Sequence, residues 1–216
     1  ALVPLVSNDA WVRRLAGVSL PNVKITAYLN GEKQESRTGK MLFTHVGLSG
    51  PAILNFSSEI AELLKYGTVS LELDLLADMG PEKVNERLQE LLKAESNKMI
   101  KNSLSSVILS ALVIPALEIA GIDPDTFGHS VTRDQRLALI RTLKAMPLTV
   151  HGLLGLEKAV ITSGGLSLDD IDFKTMRSNK FSNLYVVGDL LNVDRPSGGY
   201  SLQLCWTTGF VAGSNA

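Results

Sequence analysis

Apolar and polar positions alternate over residues 22–29, with Val23, Ile25, Ala27 and Leu29 on one side and Lys24, Thr26 and Tyr28 on the other. That two-residue period predicts a strand buried on one face. Asn30-Gly31 follows. Both central positions of a tight type I′ turn need positive φ, so a hairpin is expected, returning over residues 33–45. Residues 68–75 alternate again through Val69, Leu71, Leu73 and Leu75. Together these segments predict a small, mainly antiparallel sheet.

Between them the spacing changes to that of helices. Ile53, Phe56, Ile60, Leu63 and Leu64 share one helical face over residues 52–65, with Pro51 in the first turn and Ser49 or Gly50 able to cap. Pro81 opens a helix whose face is Val84, Leu88, Leu91 and Leu92, and Leu104, Val107, Ile108, Ala111 and Leu112 repeat the pattern. A short helix is expected to start at Pro115 and stop at Gly121. Thr132-Arg133-Asp134-Gln135 reads as a capping box, and Leu137, Ile140 and Leu143 face inward until Pro147. From there the period returns to that of strands at residues 148–150 and 159–162. Residues 183–187, Asn-Leu-Tyr-Val-Val, form a continuous run of the kind expected of a parallel strand covered on both faces. A nearly all-apolar helix is expected near the end of the chain.

The 21 Lys and Arg against 22 Asp and Glu leave a net charge of −1, with no basic stripe to hold nucleic acid or an anionic membrane. The longest apolar stretch, residues 107–120, is broken by Ser110 and Pro115 and is too short to span a bilayer. One cysteine, Cys205, leaves no internal disulfide framework, and the expected compartment is the cytoplasm. Within its apolar helix Cys205 reads as a small hydrophobe. His45, His129 and His151 lack metal-ligand spacing, so no metal site is expected. The loop ahead of Pro51 reads as a plain turn, and Ser49 lacks the G-x-S-x-G context of a hydrolase nucleophile.

The chemistry concentrates late in the chain. Leu184-Tyr185-Val186-Val187-Gly188-Asp189 leads to Gly198-Gly199-Tyr200 and a helix. A glycine ending a buried strand lets backbone approach a ligand, and the acid beside it accepts hydrogen bonds from ribityl or ribose hydroxyls. Glycines opening a helix present free N–H groups to an electron-rich oxygen. Taken alone, the same string is equally an ordinary strand–turn–helix corner with glycines for packing.

The longer string removes that ambiguity. Residues 159–167 (Ala-Val-Ile-Thr-Ser-Gly-Gly-Leu-Ser), then 184–189, Val193-Asp194, and residues 197–203 (Ser-Gly-Gly-Tyr-Ser-Leu-Gln) resemble the C-terminal signature of the BaiN-like (YhiN-type) NAD(P)/FAD-dependent oxidoreductases. That family includes proteins described as aminoacetone oxidase-like. Residues 41–54 (Met-Leu-Phe-Thr-His-Val-Gly-Leu-Ser-Gly-Pro-Ala-Ile-Leu) are similar to its insert-domain motif, and residues 143–149 to the stretch leading back to the flavin domain. The likeness covers nearly the whole chain, in order.

The resemblance implies an α+β architecture in which a β-rich insert segment (1–76) and a helical insert segment (77–146) precede the C-terminal portion of a glutathione-reductase-like, Rossmann-type FAD domain (147–216). It implies flavin contacts from Gly188 and Asp189 on the ribityl or pyrophosphate side. Gly198, Gly199, Tyr200 and Ser201 would face the pyrimidine side, and Thr162, Ser163, Gly164 and Gly165 would lie near the isoalloxazine. Asp189 and Ser201 stand where the family more often has Glu and Asn. His45 is the one candidate for the substrate side. The implied activity is hydride transfer between a small organic substrate and FAD, with NAD(P)H or oxygen as electron partner. A dinucleotide site also needs G-x-G-x-x-G and an acid about 20 positions later. Residues 1–216 contain no such pattern. The expectation is therefore a chain that begins partway through a longer protein and is inactive by itself. Its partners would be the absent nucleotide-binding segment, a small-molecule substrate, and another copy of itself across the uncovered sheet. The rival expectations are a flavin-free binding module and a structural subunit pairing with a separate chain that carries the glycine loop.

Overall fold

The hairpin at Asn30-Gly31 forms the centre of the protein's principal sheet. In the computed structural model, which describes residues 1–216 apart from the side chain of Leu156, the chain folds into two compact units. One comprises Pro4–Leu153, the other Ala1–Val3 with Leu154–Ala216.

The first unit runs β1 (Leu5–Val6), α1 (Ala10–Arg14), β2 (Ser19–Leu29), β3 (Glu32–Thr44), β4 (Gly47–Ser49), α2 (Pro51–Leu63), β5 (Val69–Asp74), α3 (Pro81–Ala94), α4 (Ile100–Ser103), α5 (Ser110–Ile119), α6 (Arg133–Lys144), β6 (Met146–Val150) and β7 (Gly152–Leu153). Leu29 pairs with Glu32, leaving Asn30 at φ 51° and Gly31 at φ 86° in the turn, as a type I′ turn requires. β5 alternates buried and half-buried positions along its whole length, so its period holds in three dimensions.

The seven strands lie in the order β6-β5-β2-β3-β4-β1-β7. The two edge strands, β6 and β7, are consecutive in the chain and separated only by His151, whose N–H donates to the carbonyl of Val6 at 2.9 Å. One continuous stretch therefore pairs with β5 through its first half and with β1 through its second. The sheet closes on itself through that stretch as a barrel, which removes the open edges that would recruit foreign strands.

α2 begins at Gly50 and Pro51 as expected and buries Ile53, Phe56 and Ile60 against the sheet. α6 carries the capping box: Gln135 N–H donates to Thr132 Oγ1 at 3.2 Å, and Thr132 N–H to Gln135 Oε1 at 2.9 Å. α5 corrects the expected boundary, because it starts at Ser110 and holds Pro115 inside it. Its opening turns use residues that were assigned to the preceding apolar repeat, and only one backbone hydrogen bond is lost at the proline.

The β-rich and helical segments share a single core, so neither has one to itself. Val23, Ile25, Met41 and Phe43 from the barrel join Leu88, Leu112, Leu139 and Leu143 from the helices. Burying each such side chain contributes about 1.5–3 kcal/mol. Lys144 ties the two segments together from the end of α6. Its Nζ pairs with Asp74 Oδ2 at 2.6 Å and donates to the carbonyls of Leu76 and Met79 at 2.9 and 2.5 Å. The expected boundary at residue 147 falls instead after Leu153, because Met146–Val150 completes the barrel by pairing with β5.

The second unit has little regular structure: β8 (Ile171–Asp172) paired with β9 (Arg177–Ser178), and α7 (Tyr200–Gly213). Its small core is Ile171, Met176, Val186 and Leu191. The strands expected at residues 159–162 and 183–187 appear only as isolated bridges, Leu2 with Ile161 and Arg177 with Tyr185. A parallel strand needs hydrogen-bonded neighbours along its edges. Among the described residues these runs have none beyond the bridges, and Leu184 is 44% exposed. α+β holds for the architecture, and among the described residues of this unit the regular strands are β8 and β9 alone.

Candidate functional site

In the second unit a 3-10 turn at Gly188–Leu190 sits directly on α7. Gly188 has φ +62°, and a Cβ there would lie 2.8 Å from Cys205 Sγ. Its N–H is taken by Thr208 Oγ1 at 2.9 Å. The missing side chain of Gly188 therefore serves helix packing, and its backbone donor is already used. Cys205 sits against that glycine as a packing group, as its apolar helix suggested.

On the other side, residues 162–166 are laid along the same turn. Leu166 N–H donates to the carbonyl of Leu190 at 2.8 Å, and Asn192 N–H returns a bond to Leu166 at 3.0 Å. The approach is close enough that only glycine fits at position 165: a Cβ would lie 2.6 Å from the Leu190 carbonyl oxygen and 2.7 Å from the Leu191 carbonyl carbon. The two segments enclose an open cleft of about 670 Å³ lined by Thr162, Ser163, Gly164, Gly165, Leu166, Val186, Asp189 and Leu190. The expected loop at Thr162 to Gly165 and the expected acid Asp189 thus meet in one place.

The start of α7 is built from Gly198 at φ +109° and Gly199 at φ +96°, neither with an atom within 4 Å of where its Cβ would stand. Gly199 caps the helix through its left-handed conformation, with Tyr200 exposed beside it. Ser201 is connected to Asp189 through a residue that no motif singles out. The Arg195 side chain is 7% exposed and pairs with the Asp189 carboxylate. Its Nε donates to Ser201 Oγ at 2.8 Å and its Nη1 to the carbonyl of Val193 at 2.6 Å. The only signal for it in the sequence was a lone cation between Asp194 and the glycine pair. Leu166, Val186 and Leu190, the apolar lining, were also missed. His45 lies exposed in the turn between β3 and β4, in the first unit, and is not among the residues assembled at this cleft.

Among the described residues no cluster of three or more His, Cys, Asp or Glu side chains could hold a metal ion. Among the same described residues no helix is long and apolar enough to cross a membrane. Hydroxyls, glycine backbone and one carboxylate around a half-apolar cleft suit a nucleotide-bearing aromatic ring. The open space at Gly164, Gly198 and Gly199 leaves backbone accessible to it.

Residues 1–161 match the family described as HI0933-like protein barrel and H2TH domain. The chain belongs to this HI0933-like, BaiN/YhiN-type flavoprotein family. The family description of a barrel agrees with the closed sheet of the first unit. The chain is 32% identical over 213 residues to a ribosomal RNA dihydrouridine synthase of Haemophilus influenzae, covering 98% of this chain and 50% of that protein. It is 29% identical over 217 residues to a 3-dehydro-bile acid delta(4,6)-reductase of Clostridium scindens, covering 100% and 53%. A ribosomal RNA dihydrouridine synthase of Escherichia coli is 32% identical over 215 residues, covering 97% and 50%. The chain spans about half the length of these relatives.

Proposed function

We propose that the complete protein is an FAD-dependent reductase that saturates a carbon–carbon double bond conjugated to a carbonyl. The cleft between residues 162–166 and the Gly188–Leu190 turn carries this reading, because it supplies hydroxyls, open glycine backbone and a carboxylate beside an apolar wall. The names of the relatives point to one reaction type. Forming dihydrouridine saturates a uracil double bond next to a ring carbonyl, and a delta(4,6)-reductase saturates a diene in line with a 3-oxo group. In such a conjugated system hydride would add at a carbon made electron-poor by the carbonyl, and a proton would then quench the resulting enolate.

In this reading FAD supplies the hydride and a reduced nicotinamide restores it. Thr162, Ser163, Gly164 and Gly165 form one wall of the ring site. Asp189 accepts from a sugar-chain hydroxyl of the cofactor. Gly198, Gly199, Tyr200 and Ser201 open α7 towards the electron-rich edge of the ring, where the positive end of the helix favours added negative charge. Gly188 shapes the turn from below. Family membership favours an enzyme over a flavin-free module or structural subunit. The single cysteine fits a reducing compartment such as the cytoplasm.

A ribosomal RNA substrate is the second reading, favoured by two relatives at 32% identity. Binding RNA phosphates needs surplus Lys and Arg. With 21 against 22 this chain has none, so the cations would have to come from elsewhere in the polypeptide. A small 3-oxo-4-ene substrate needs no such surplus. The test is the protein expressed from its complete reading frame. It is expected to purify yellow and to oxidise NAD(P)H faster when a 3-oxo-4-ene steroid is added. Residues 1–216 alone should stay colourless. A complete protein without bound flavin overturns the proposal, and turnover confined to uridine in ribosomal RNA selects the second reading.

A further inference from the structure

Arg195 is in an unfavourable place for a cation unless something there requires it. Its guanidinium donates to Ser201, in the first turn of α7, where the helix dipole disfavours positive charge. It is also nearly sealed from water, at 7% exposed, and a buried charge is retained only with partners of good geometry. The partners are present: the carboxylate of Asp189, the hydroxyl of Ser201 and the carbonyl of Val193. Two of these are the residues that the flavin reading above assigns to opposite ends of the cofactor's contact surface.

We infer that Arg195 is the positioning residue of the cofactor site, holding Asp189 and Ser201 in fixed register and cancelling the Asp189 charge. The inference rests on the proposed flavin reading. Without a cation the carboxylate would rotate freely, because its side chain is 62% exposed, and its charge would oppose the negative charge that the ring gains on reduction. The planar fork of arginine serves both demands at once: Nε on Ser201 and Nη2 on Asp189 set the spacing between the turn and the helix. A lysine would retain the charge and lose the fork.

The test uses the complete protein, with flavin affinity and flavin reduction potential as separate readings. Arg195→Met should weaken flavin binding about tenfold. It should also shift the reduced-to-oxidised ratio at a fixed poise about tenfold towards oxidised, roughly 30 mV for a two-electron couple. Arg195→Lys should keep the potential and lose affinity. Arg195→Met with Asp189→Asn should recover the potential without recovering affinity. If Arg195→Met does not fold, Arg195→Lys beside Asp189→Asn decides the matter by the same split. Variants that bind flavin as the parent does at an unchanged potential, differing only in melting temperature, overturn the inference and leave the flavin reading intact. A parent protein that holds no flavin overturns both.

Discussion

Gly165→Ala is the substitution that most directly tests whether the cleft is built by backbone packing. Glycine at φ +140° occupies a conformation that side chains rarely adopt, which alone costs about 1–3 kcal/mol. A Cβ 2.6 Å from the Leu190 carbonyl oxygen meets backbone, which cannot rotate away. The segment must lift, and the bonds from Leu166 N–H to Leu190 and from Asn192 N–H to Leu166 go with it. At about 1 kcal/mol each, these bring the local cost to about 3–5 kcal/mol. Gly164→Ala is the control. It has a comparable strain at φ +106° but nothing within 4 Å, so it carries the conformational cost alone.

Hydrogen exchange separates the two. A loss of 3–5 kcal/mol in local opening speeds exchange by about two to three and a half powers of ten, since each 1.4 kcal/mol is a factor of ten. That acceleration should appear at the Leu166 and Asn192 amides in Gly165→Ala and be at least tenfold smaller in Gly164→Ala. Equal exchange in the two variants would refute the close-packed account of the cleft, since strain alone would then explain both.

The ion pair between α1 and α5 gives a pH test. Arg14 donates to Glu118 and holds that carboxyl below the usual glutamate value of 4.5. A lowered carboxylate value adds stability above the ordinary one and loses it as pH falls through the folded one. Wild type and Glu118→Gln should differ slightly near neutral pH, as surface pairs do, and converge in acid; a gap that widens in acid contradicts the pairing. The exposed faces of α7 give an association test. Trp206 is 66% and Phe210 77% exposed, one helical turn apart. Residues 1–216 alone should self-associate with concentration, less so in Phe210→Glu, and a strictly monomeric chain at all concentrations would count against that.

The elements legible in the sequence are those specified by neighbours in the chain. Asn30-Gly31 fixes its own turn, and the Thr132 capping box closes over three residues, so both stand where the residues put them. Pro115 shows where a local rule misleads: a proline favours a first turn, but in α5 the apolar residues on both sides of it are buried together, and packing carries the helix across. Barrel closure was out of reach for a different reason. Nothing in residues 146–153 states that one half pairs with β5 and the other with β1, because that information lies in the partners. The Gly188 motif was legible as a glycine position, yet its neighbour turned out to be Cys205, and Arg195, which bridges Asp189 and Ser201, has no periodicity to give it away.

The same distinction explains the apolar run at residues 183–187. Such a run records how apolar the surroundings of a strand are to be, without recording which residues provide them. In the barrel unit every comparable run finds cover within the unit, and its exposed large apolar residues are only Tyr66, Leu109, Phe127 and Leu137. In the other unit Leu184, Leu190, Leu202, Trp206 and Phe210 all remain open to water, although Val186 and Leu191 are buried. A patch of that kind is unusual on an isolated monomer and is suited to an interaction surface or a ligand groove. The cleft at Asp189 opens beside that uncovered surface, and Leu190 belongs to both.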